Sequence, residues 1–314
     1  DPDDDFRISL AGAQEKDAFL RWKGKWLKPR GATPTTHIFK LPIGMIGGRK
    51  ADFSTSVDNE WLCLRLFKEY GLPTANAEIA TFGSQRVLVV ERFDRTLSAN
   101  GKQLFRLVQE DFCQALRLPP GAKYERNQTG VRGPSLADLF ALVRRHMTAV
   151  DTTRLLDAVI FNIAVGNVDS HAKNYSILLT ADGAALAPLY DLMSGLSWPG
   201  ITQNHAQAIG GQVRGRHIQA RHWRRMAQAC GLAQAATVRR VLALTDRIQR
   251  EIREAAEAVA AMPTGGSAFL DGLVQDVTER AAVVGRNAAR DDGGEDDDGE
   301  ERPARSEAFP SSPR

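Results

Sequence analysis

The most informative segment of the chain is F-N-I-A-V-G-N-V-D-S-H-A-K-N-Y-S, residues 161–176. It holds Asn167, Asp169, His171, Lys173 and Asn174 within eight positions. Asp169 and Asn174 stand five positions apart, which is the spacing of a kinase catalytic loop. In such a loop the aspartate accepts the proton of the attacking hydroxyl or orients it, and the asparagine holds Mg²⁺ on the nucleotide phosphates. The alternative is a loop at a helix end, stabilised by Asx turns.

A second metal-binding carboxylate is expected one short hairpin after this loop. Residues 176–179 and 184–189 predict two strands, joined by a turn at Asp182-Gly183. Asp191 follows them in L-Y-D-L-M-S, residues 189–194. Carboxylate and amide oxygens suit a hard cation such as Mg²⁺. Asn174 and Asp191 are therefore the candidate metal ligands.

The N-terminal third of the chain is β-rich, with one prominent helix. Strands are predicted at residues 6–10, 18–22, 26–27, 37–41, 77–82 and 86–93, and a helix at 57–70 that stops at Gly71. Lys40 lies between Phe39 and Leu41 and is the candidate for pairing with nucleotide phosphates. A lysine that protects a strand edge is the alternative for Lys40.

Three further features bear on the phosphate end of a nucleotide site. Lys16 and Lys28 could take the phosphate-binding role instead of Lys40. The small-residue turn at 10–16 contains Gly12, which would let backbone N–H groups face an anion. Glu60, on the predicted helix, could pair with Lys40, or it could lie at a cap or on the surface.

Helical periodicity dominates the rest of the chain, at 136–147, 152–165 and much of 219–261. We therefore expect a β-rich lobe at 1–94, a helical lobe at 95–285 and a disordered acidic tail at 286–314. A basic cluster surrounds Trp223 and either meets nucleic-acid phosphates or forms a solvated face with Trp223 in the core. Its members are Arg214, Arg216, His217, Arg221, His222, Arg224 and Arg225.

Composition excludes several classes of protein. The 314 residues are 43% hydrophobic and 25% charged, which is ordinary for a soluble globular protein. No run of 18 apolar residues and no signal peptide occur, so we expect no membrane partner. Three distant cysteines without a C-x-x-C motif argue against a disulfide scaffold or zinc site, and favour the cytoplasm.

Charge is divided unevenly along the chain. The formal net charge is +3, but residues 286–314 hold five arginines and nine acidic residues, a net of −4. Residues 1–285 therefore carry +7. A basic body suggests polyanionic partners such as phosphates or nucleic acid, although solubility alone would also account for it.

Ordered segments along most of the chain resemble the HipA family of toxin serine/threonine kinases. The similarity is strong over about 8–230 and looser to about 285. The segments include I-S-L-A-G-A-Q-E-K (8–16), K-P-R-G-A-T-P-T-T-H-I-F-K-L-P (28–42), D-N-E-W-L-C (58–63), V-V-E-R-F-D-R (89–95), Q-E-D-F-C-Q-A-L (109–116), K-Y-E (123–125), G-N-V-D-S-H-A-K-N-Y-S (166–176), P-L-Y-D-L-M-S (188–194) and R-H-W (221–223).

The resemblance implies an α+β, bilobal, protein-kinase-like fold that uses ATP and Mg²⁺. It implies that Asp169, Lys40 and Asn174 are catalytic and that Asn174 and Asp191 hold Mg²⁺. The resemblance also implies that ATP is contacted by a phosphate loop of Ala11, Gly12, Ala13 and Gln14. It further implies that the hinge backbone at Glu91 and Phe93 faces the base, that Asp94 lies near the ribose and that His171 lies beside the nucleotide. Ser9 matches the autophosphorylation serine of the family, whose added negative charge would switch the kinase off.

Partners follow from the same resemblance. Family members phosphorylate aminoacyl-tRNA synthetases and are neutralised by a small helix-turn-helix antitoxin, through which we expect any DNA contact. The chain begins at Asp1, so we expect an N-terminal subdomain to be lost or to be supplied by a separate small protein. Residues 132–135, R-G-P-S, and 203–205, Q-N-H, depart from the family pattern, which puts secondary phosphate contacts in doubt. The alternatives are a non-catalytic, DNA-bound co-repressor and a small-molecule kinase of similar fold.

Overall fold

The structure, a computed structural model, describes residues 14–45, 52–262 and 267–290. Four predicted site residues, Ser9, Ala11, Gly12 and Ala13, lie outside the described residues, as do the strand predicted at 6–10 and residues 291–314 of the tail. The other predicted site residues are all described.

The first part of the chain forms one antiparallel sheet and one long helix. Its strands are β1 (Lys16–Trp22), β2 (Lys25–Leu27), β3 (His37–Lys40), β4 (Ala77–Phe82) and β5 (Gln85–Glu91), and helix α1 (Ser56–Glu69) lies between β3 and β4 in the chain. The strand order is β2-β1-β3-β5-β4. Within this sheet, the strands predicted from the sequence are confirmed to within two residues at each end.

Alternation of side chains along β3 gives the sheet two different faces. Phe39 lies on the outer face, where its ring centre is 4.6 Å from that of Phe19, 4.8 Å from that of Trp26 and 4.9 Å from that of Phe82. Lys40 therefore lies on the opposite face, and it is only 6% exposed. This face and α1 enclose the site described below.

Helix α1 forms because apolar side chains recur at helical spacing. Val57, Trp61 and Leu64 are all buried, and they lie on one face of the helix. Gly71, with a φ of 84°, follows the helix and ends it, because left-handed backbone favours glycine. The predicted helix at 57–70 is confirmed to within one residue at each end.

The second part of the chain is mainly helical. The helices are α2 (Phe112–Ala115), α3 (Leu136–His146), α4 (Ala149–Val165), α5 (Ala220–Ala229), α6 (Gln234–Ala260) and α7 (Phe269–Ala289). The strands form a β6–β7 hairpin, a sheet in the order β10-β9-β8 and a β11–β12 hairpin. They are β6 (Arg95–Leu97), β7 (Leu104–Arg106), β8 (Val108–Asp111), β9 (Ser176–Thr180), β10 (Gly183–Leu186), β11 (Asn204–Ile209) and β12 (Gln212–Arg214).

Helix α4 and strand β9 fix the two ends of the polar segment. The helix begins with a capping box between Thr148 and Asp151 and ends at Gly166, whose φ is 70°. A Cβ on Gly166 would lie 2.4 Å from Cγ of Leu196, so the close approach also requires glycine. Residues 167–175 therefore form a short connection between a buried helix and a sheet.

One hydrophobic cluster joins the two parts of the chain. It includes side chains of α1, α4, α6 and α7. The ring centres of Phe67 and Tyr70, from α1 and its end, lie 4.5 Å and 4.2 Å from that of Phe161 in α4. In the described residues, no helix is both long and apolar enough to cross a membrane.

Several elements were not expected from the sequence, among them strand β8, helix α2 and two hairpins. The hairpins β6–β7 and β11–β12 contain strands of only three to six residues, too short to show periodicity clearly. Helix α7 extends through residues 286–289, which the sequence analysis placed in the tail. The helix continues there because Val284 and Ala288, four positions apart, both remain buried.

Candidate active site

The centre of the candidate site is a lysine held between two carboxylates. Nζ of Lys40 lies 2.5 Å from Oε1 of Glu60 and also contacts Oδ1 of Asp191. The three residues come from β3, from α1 and from the segment after β10. The Lys40–Glu60 contact left open by the sequence is therefore present.

Electrostatics keeps Lys40 and Asp191 charged, whereas burial raises the pKa of Glu60 above its ordinary value. Burial alone would lower the pKa of Lys40, but the carboxylates of Asp191 and Glu60 raise it above its ordinary value. Burial would raise the pKa of Asp191, yet Lys40 holds it below its ordinary value. Lys40 is thus a fixed positive charge in a buried cleft, suited to pairing with phosphate oxygens.

Lys16 places a second positive charge at the same cleft. It pairs in register with Lys40 across β1 and β3, so both side chains emerge on one face of the sheet. Lys16 lines the cleft and lowers the pKa of Asp191. Lys28, the other lysine that the sequence left open, is exposed. Gln14 is buried, and its Nε2 donates to the carbonyl of Leu41, 2.8 Å away.

Asp169 and Asn174 are bonded to each other within the polar segment at residues 167–175. Nδ2 of Asn174 donates to the backbone oxygen of Asp169 at 2.9 Å. The carboxylate of Asp169 accepts a hydrogen bond from the hydroxyl of Tyr124. The loop is tied to β8 because Nζ of Lys173 lies 2.6 Å from Oδ2 of Asp111. The D-x-x-x-x-N spacing therefore corresponds to one hydrogen-bonded turn.

Tyr124 was missed as a site residue, although K-Y-E was noted as a segment. Its neighbours explain its position. The carbonyl of Lys123 accepts from the Ala172 N–H at 3.1 Å, and the Glu125 N–H donates to Ala206 at 3.0 Å. These bonds hold Tyr124 between the polar segment at residues 167–175 and β11. An isolated tyrosine in a sequence carries no signal for such a contact.

His171 is a buried histidine beside the loop. It is 3% exposed, and its Nε2 lies 3.9 Å from Oδ1 of Asp169. Burial, helped by the positive charge of Lys123, lowers the pKa of His171 to about 3. Both ring nitrogens are buried, and neither makes a hydrogen bond within the part of the chain that the structure describes. The imidazole is therefore neutral at physiological pH.

The donor set fits a Mg²⁺ ion that also binds nucleotide phosphates. Because Nδ2 of Asn174 is used by Asp169, its Oδ1 is the atom suited to face a cation. Asp191 has a φ of 53°, an uncommon backbone for a non-glycine residue that is often found at functional sites. Among residues 14–45, 52–262 and 267–290, no cluster of three or more His, Cys, Asp or Glu side chains could hold a metal. Mg²⁺ commonly uses one or two protein ligands and substrate phosphates.

An apolar cleft continues from Lys40 towards β5. Its lining includes Ile38, Leu64, Val90 and Phe93. Tyr190 closes one side, with its ring centre 5.7 Å from that of Phe93. A flat aromatic base of a nucleotide would be matched by such walls.

The predicted hinge residues line this cleft, but their groups are not equally available. The Glu91 N–H donates to Asn76 at 2.8 Å, so a bond from Glu91 to a base must use its carbonyl oxygen. The Asp94 carboxylate is bonded to Arg92 at 3.0 and 2.8 Å and to Arg95 at 2.6 Å. A ribose would therefore meet a carboxylate that two arginines already hold.

The basic cluster predicted around Trp223 divides into core and surface. Trp223 is fully buried and His222 is only 9% exposed, so neither residue belongs to the exposed surface. His222 caps α5, its Nδ1 accepting from the Gln219 N–H at 2.9 Å. The remaining members, which we call the basic surface, are exposed or half-buried: Arg214, Arg216, His217, Arg221, Arg224 and Arg225.

The fold and the site together define a protein of the kinase-like class. Its β-rich part carries a Lys–Glu pair, and its helical part carries the D-x-x-x-x-N loop. The expected α+β, protein-kinase-like class is confirmed by solved structures. HipA of Shewanella oneidensis, in its complex with HipB and operator DNA, matches with a TM-score of 0.76 and 30% identity, over 88% of this chain and 64% of that one. The Helicobacter pylori proinflammatory kinase CtkA shares the fold, with a TM-score of 0.52 and 12% identity over 82% of this chain and 93% of that one.

The chain belongs to the HipA-like C-terminal domain family, whose model matches residues 8–261. A Sinorhizobium fredii protein named as a kinase, Y4mE, is 37% identical over 88% of this chain and 64% of its own length. The Shewanella oneidensis serine/threonine-protein kinase toxin HipA is 32% identical over 79% of this chain and 57% of its own. The chain thus spans less than two thirds of the length of these curated relatives.

Proposed function

We propose that the chain is an ATP-dependent protein serine/threonine kinase of the HipA type. The observation that carries the proposal is the buried Lys40, joined to Glu60 and Asp191 in the apolar cleft. Asp169 lies close enough to Asp191 that the charges of both carboxylates act on Lys123. This arrangement matches the parts that phosphoryl transfer requires, since it positions phosphates and neutralises their charge.

The residues of the candidate site have distinct roles in this reaction. Lys40, with Lys16 nearby, binds phosphate oxygens, and the apolar cleft binds the base. Asn174 and Asp191 would hold Mg²⁺, which neutralises charge on the phosphates when bound. Asp169 accepts the proton of the substrate hydroxyl while the oxygen of that hydroxyl forms a bond to the γ-phosphorus. The bond between that phosphorus and the β–γ bridging oxygen breaks, and ADP leaves.

Replacing the catalytic aspartate tests the proposal. Asp169→Asn should reduce transfer of label from γ-labelled ATP into lysate protein by at least about 100-fold, because a positioned base contributes 10²–10⁴-fold. ATP affinity, measured by calorimetry, should change little, since Asp169 faces the acceptor. Asp182→Asn, in the exposed β9–β10 turn, is the matched control. Undiminished transfer by Asp169→Asn would refute the assignment.

The protein partners of this kinase extend the proposal. We propose an aminoacyl-tRNA synthetase as substrate and a small helix-turn-helix antitoxin as inhibitor, which also mediates DNA contact. The Shewanella oneidensis relative, solved with HipB and operator DNA, supports the antitoxin. Identification of the labelled band in the same lysate experiment tests the substrate.

Autophosphorylation at Ser9 is proposed as the off-switch, because about two added negative charges before the phosphate loop would repel ATP. Mass spectrometry of the same reaction should show Ser9 modified in the wild type and unmodified in Asp169→Asn.

A further inference from the structure

The basic surface lies beside the last turn of helix α7. Nδ2 of Asn287 donates to the backbone oxygen of Arg216 at 2.9 Å. The helix ends two residues later, at Ala289. Whatever follows Arg290 therefore leaves the fold close to the basic surface.

The basic surface concentrates positive charge. Arg214, Arg216 and His217 are all exposed, and Arg280 of α7 lies close behind them. Burial, and then the neighbouring arginines Arg216, Arg214 and Arg280, lowers the pKa of His217. Burial and Arg216 likewise lower the pKa of Arg280, to about 10. Arg214, Arg216 and Arg280 thus place positive charge in one neighbourhood, which would attract a polyanion.

The sequence that follows Arg290 is anionic. Residues 291–301 read D-D-G-G-E-D-D-D-G-E-E, with eight acidic residues, three glycines and no lysine or arginine. Eleven residues span at most about 36–40 Å when extended. A segment of that reach, attached beside a basic surface, is present there at a high effective concentration.

We propose that the acidic run at residues 291–301 binds the basic surface of the same chain. Bound there, it occupies the place that an external polyanion, such as nucleic acid, would take. The basic surface would then bind such a polyanion only when the acidic run is displaced, with an affinity that depends steeply on salt.

A spin label in the acidic run tests the contact in the full chain. The three native cysteines, Cys63, Cys113 and Cys230, are buried, and burial raises their pKa values to about 12, 11 and 12. Asp297→Cys therefore adds a thiol more reactive than the three native ones, and a nitroxide can be attached to it. The matched control carries the same cysteine, with the other seven acidic residues of the run changed to Asn or Gln. Tether length is equal in the two chains.

We expect the nitroxide to broaden the amide signals of residues 214–217 and 221–225 in the acidic chain at low salt. The relaxation enhancement should fall at least about twofold in the neutral control and in about 1 M salt, since both remove the electrostatic attraction. Arg214→Glu with Arg216→Glu should have the same effect, whereas Arg132→Glu, an exposed arginine paired with Asp138, should not. Equal broadening in the acidic and neutral chains, or none in either, would overturn the proposal.

Discussion

At the scale of single residues, the hydroxyl of Tyr124 bears directly on the proposed base. It donates to the Asp169 carboxylate, and its ring meets that of His171 edge-on, with centres 5.1 Å apart. Tyr124→Phe keeps the ring and removes only the hydrogen bond that orients the carboxylate. We expect kcat to fall about 10- to 150-fold, since a hydrogen bond to a charged group is worth roughly 1.5–3 kcal/mol, while KM for ATP stays unchanged.

Steady-state kinetics at varied ATP separates this role from a structural one. A loss of stability alone would lower the active fraction, which a titration of ATP-binding sites measures. If Tyr124→Phe keeps full kcat per binding site, the hydroxyl does not position the base.

His171 makes a prediction about pH. Its folded pKa of about 3 lies below the ordinary 6.5, so the unfolded chain binds the extra proton between these values. Stability is therefore complete above about pH 6.5 and falls as the pH decreases towards 3. The contribution of His171 at pH 5 should be about 2 kcal/mol smaller than at pH 8.

Urea unfolding of wild type and His171→Gln at the two pH values measures this difference. The stability difference between the proteins should move in favour of the variant by about 2 kcal/mol on going from pH 8 to pH 5. A pH-independent difference would mean that His171 titrates normally in the folded chain.

At the scale of elements, helix α1 is fastened to the segment that follows Asp191. Nδ2 of Asn59 donates to the Ser194 carbonyl at 2.9 Å, and the Ser194 N–H donates to Oδ1 of Asn59 at 2.8 Å. Both residues are fully buried. The pair fixes the spacing between Glu60 and Asp191, the two carboxylates that hold Lys40.

Asn59→Ala removes both bonds and leaves two backbone groups buried without partners. We expect the free energy of unfolding to fall by about 2–4 kcal/mol. Arg65→Ala, on the exposed side of the same helix, breaks only a surface pair with Glu69 and should cost less than about 1 kcal/mol. Denaturant unfolding measures both, and similar losses in the two variants would contradict this role for Asn59.

Elements with strong periodicity could be predicted from the sequence, but their pairing in space could not. The apolar spacing of α1 and the continuous apolar run of β5 are local patterns, so both were found. The bond between Asn59 and Ser194 joins residues 135 positions apart, and a single sequence records no such proximity. Lys40, Asp169 and Asp191 lie in informative local patterns and were therefore found as candidates. Tyr124 lies in no such pattern, so it was not found.

At the scale of the whole molecule, the two expected lobes share one hydrophobic cluster. Phe161 of α4 packs against Phe67 and Tyr70 at the end of α1, across the boundary at residue 94 that the sequence predicts. We therefore expect the described body to unfold in one cooperative transition, with equal calorimetric and van't Hoff enthalpies.

Phe161→Ala probes the shared cluster. It should lower the stability of the whole body by about 3–5 kcal/mol and shift a single thermal transition. The opposite result would be two resolved calorimetric transitions, of which Phe161→Ala shifts only the one that belongs to the helical lobe. That result would show that the lobes unfold separately.

The C-terminal end of α1 has a consequence for how the molecule can be regulated. The Arg247 guanidinium lies 3.9 Å from the ring centre of Tyr70 and donates to the Glu69 carbonyl at 2.9 Å, while the Tyr70 hydroxyl donates to Leu244 at 2.9 Å. Many kinases are silenced by swinging the helix that carries the Lys-paired glutamate. Here that motion would break the contacts between the end of α1 and α6 and would expose the shared hydrophobic cluster. An inhibitor of this molecule is therefore better aimed at the entrance of the cleft than at displacing its helix.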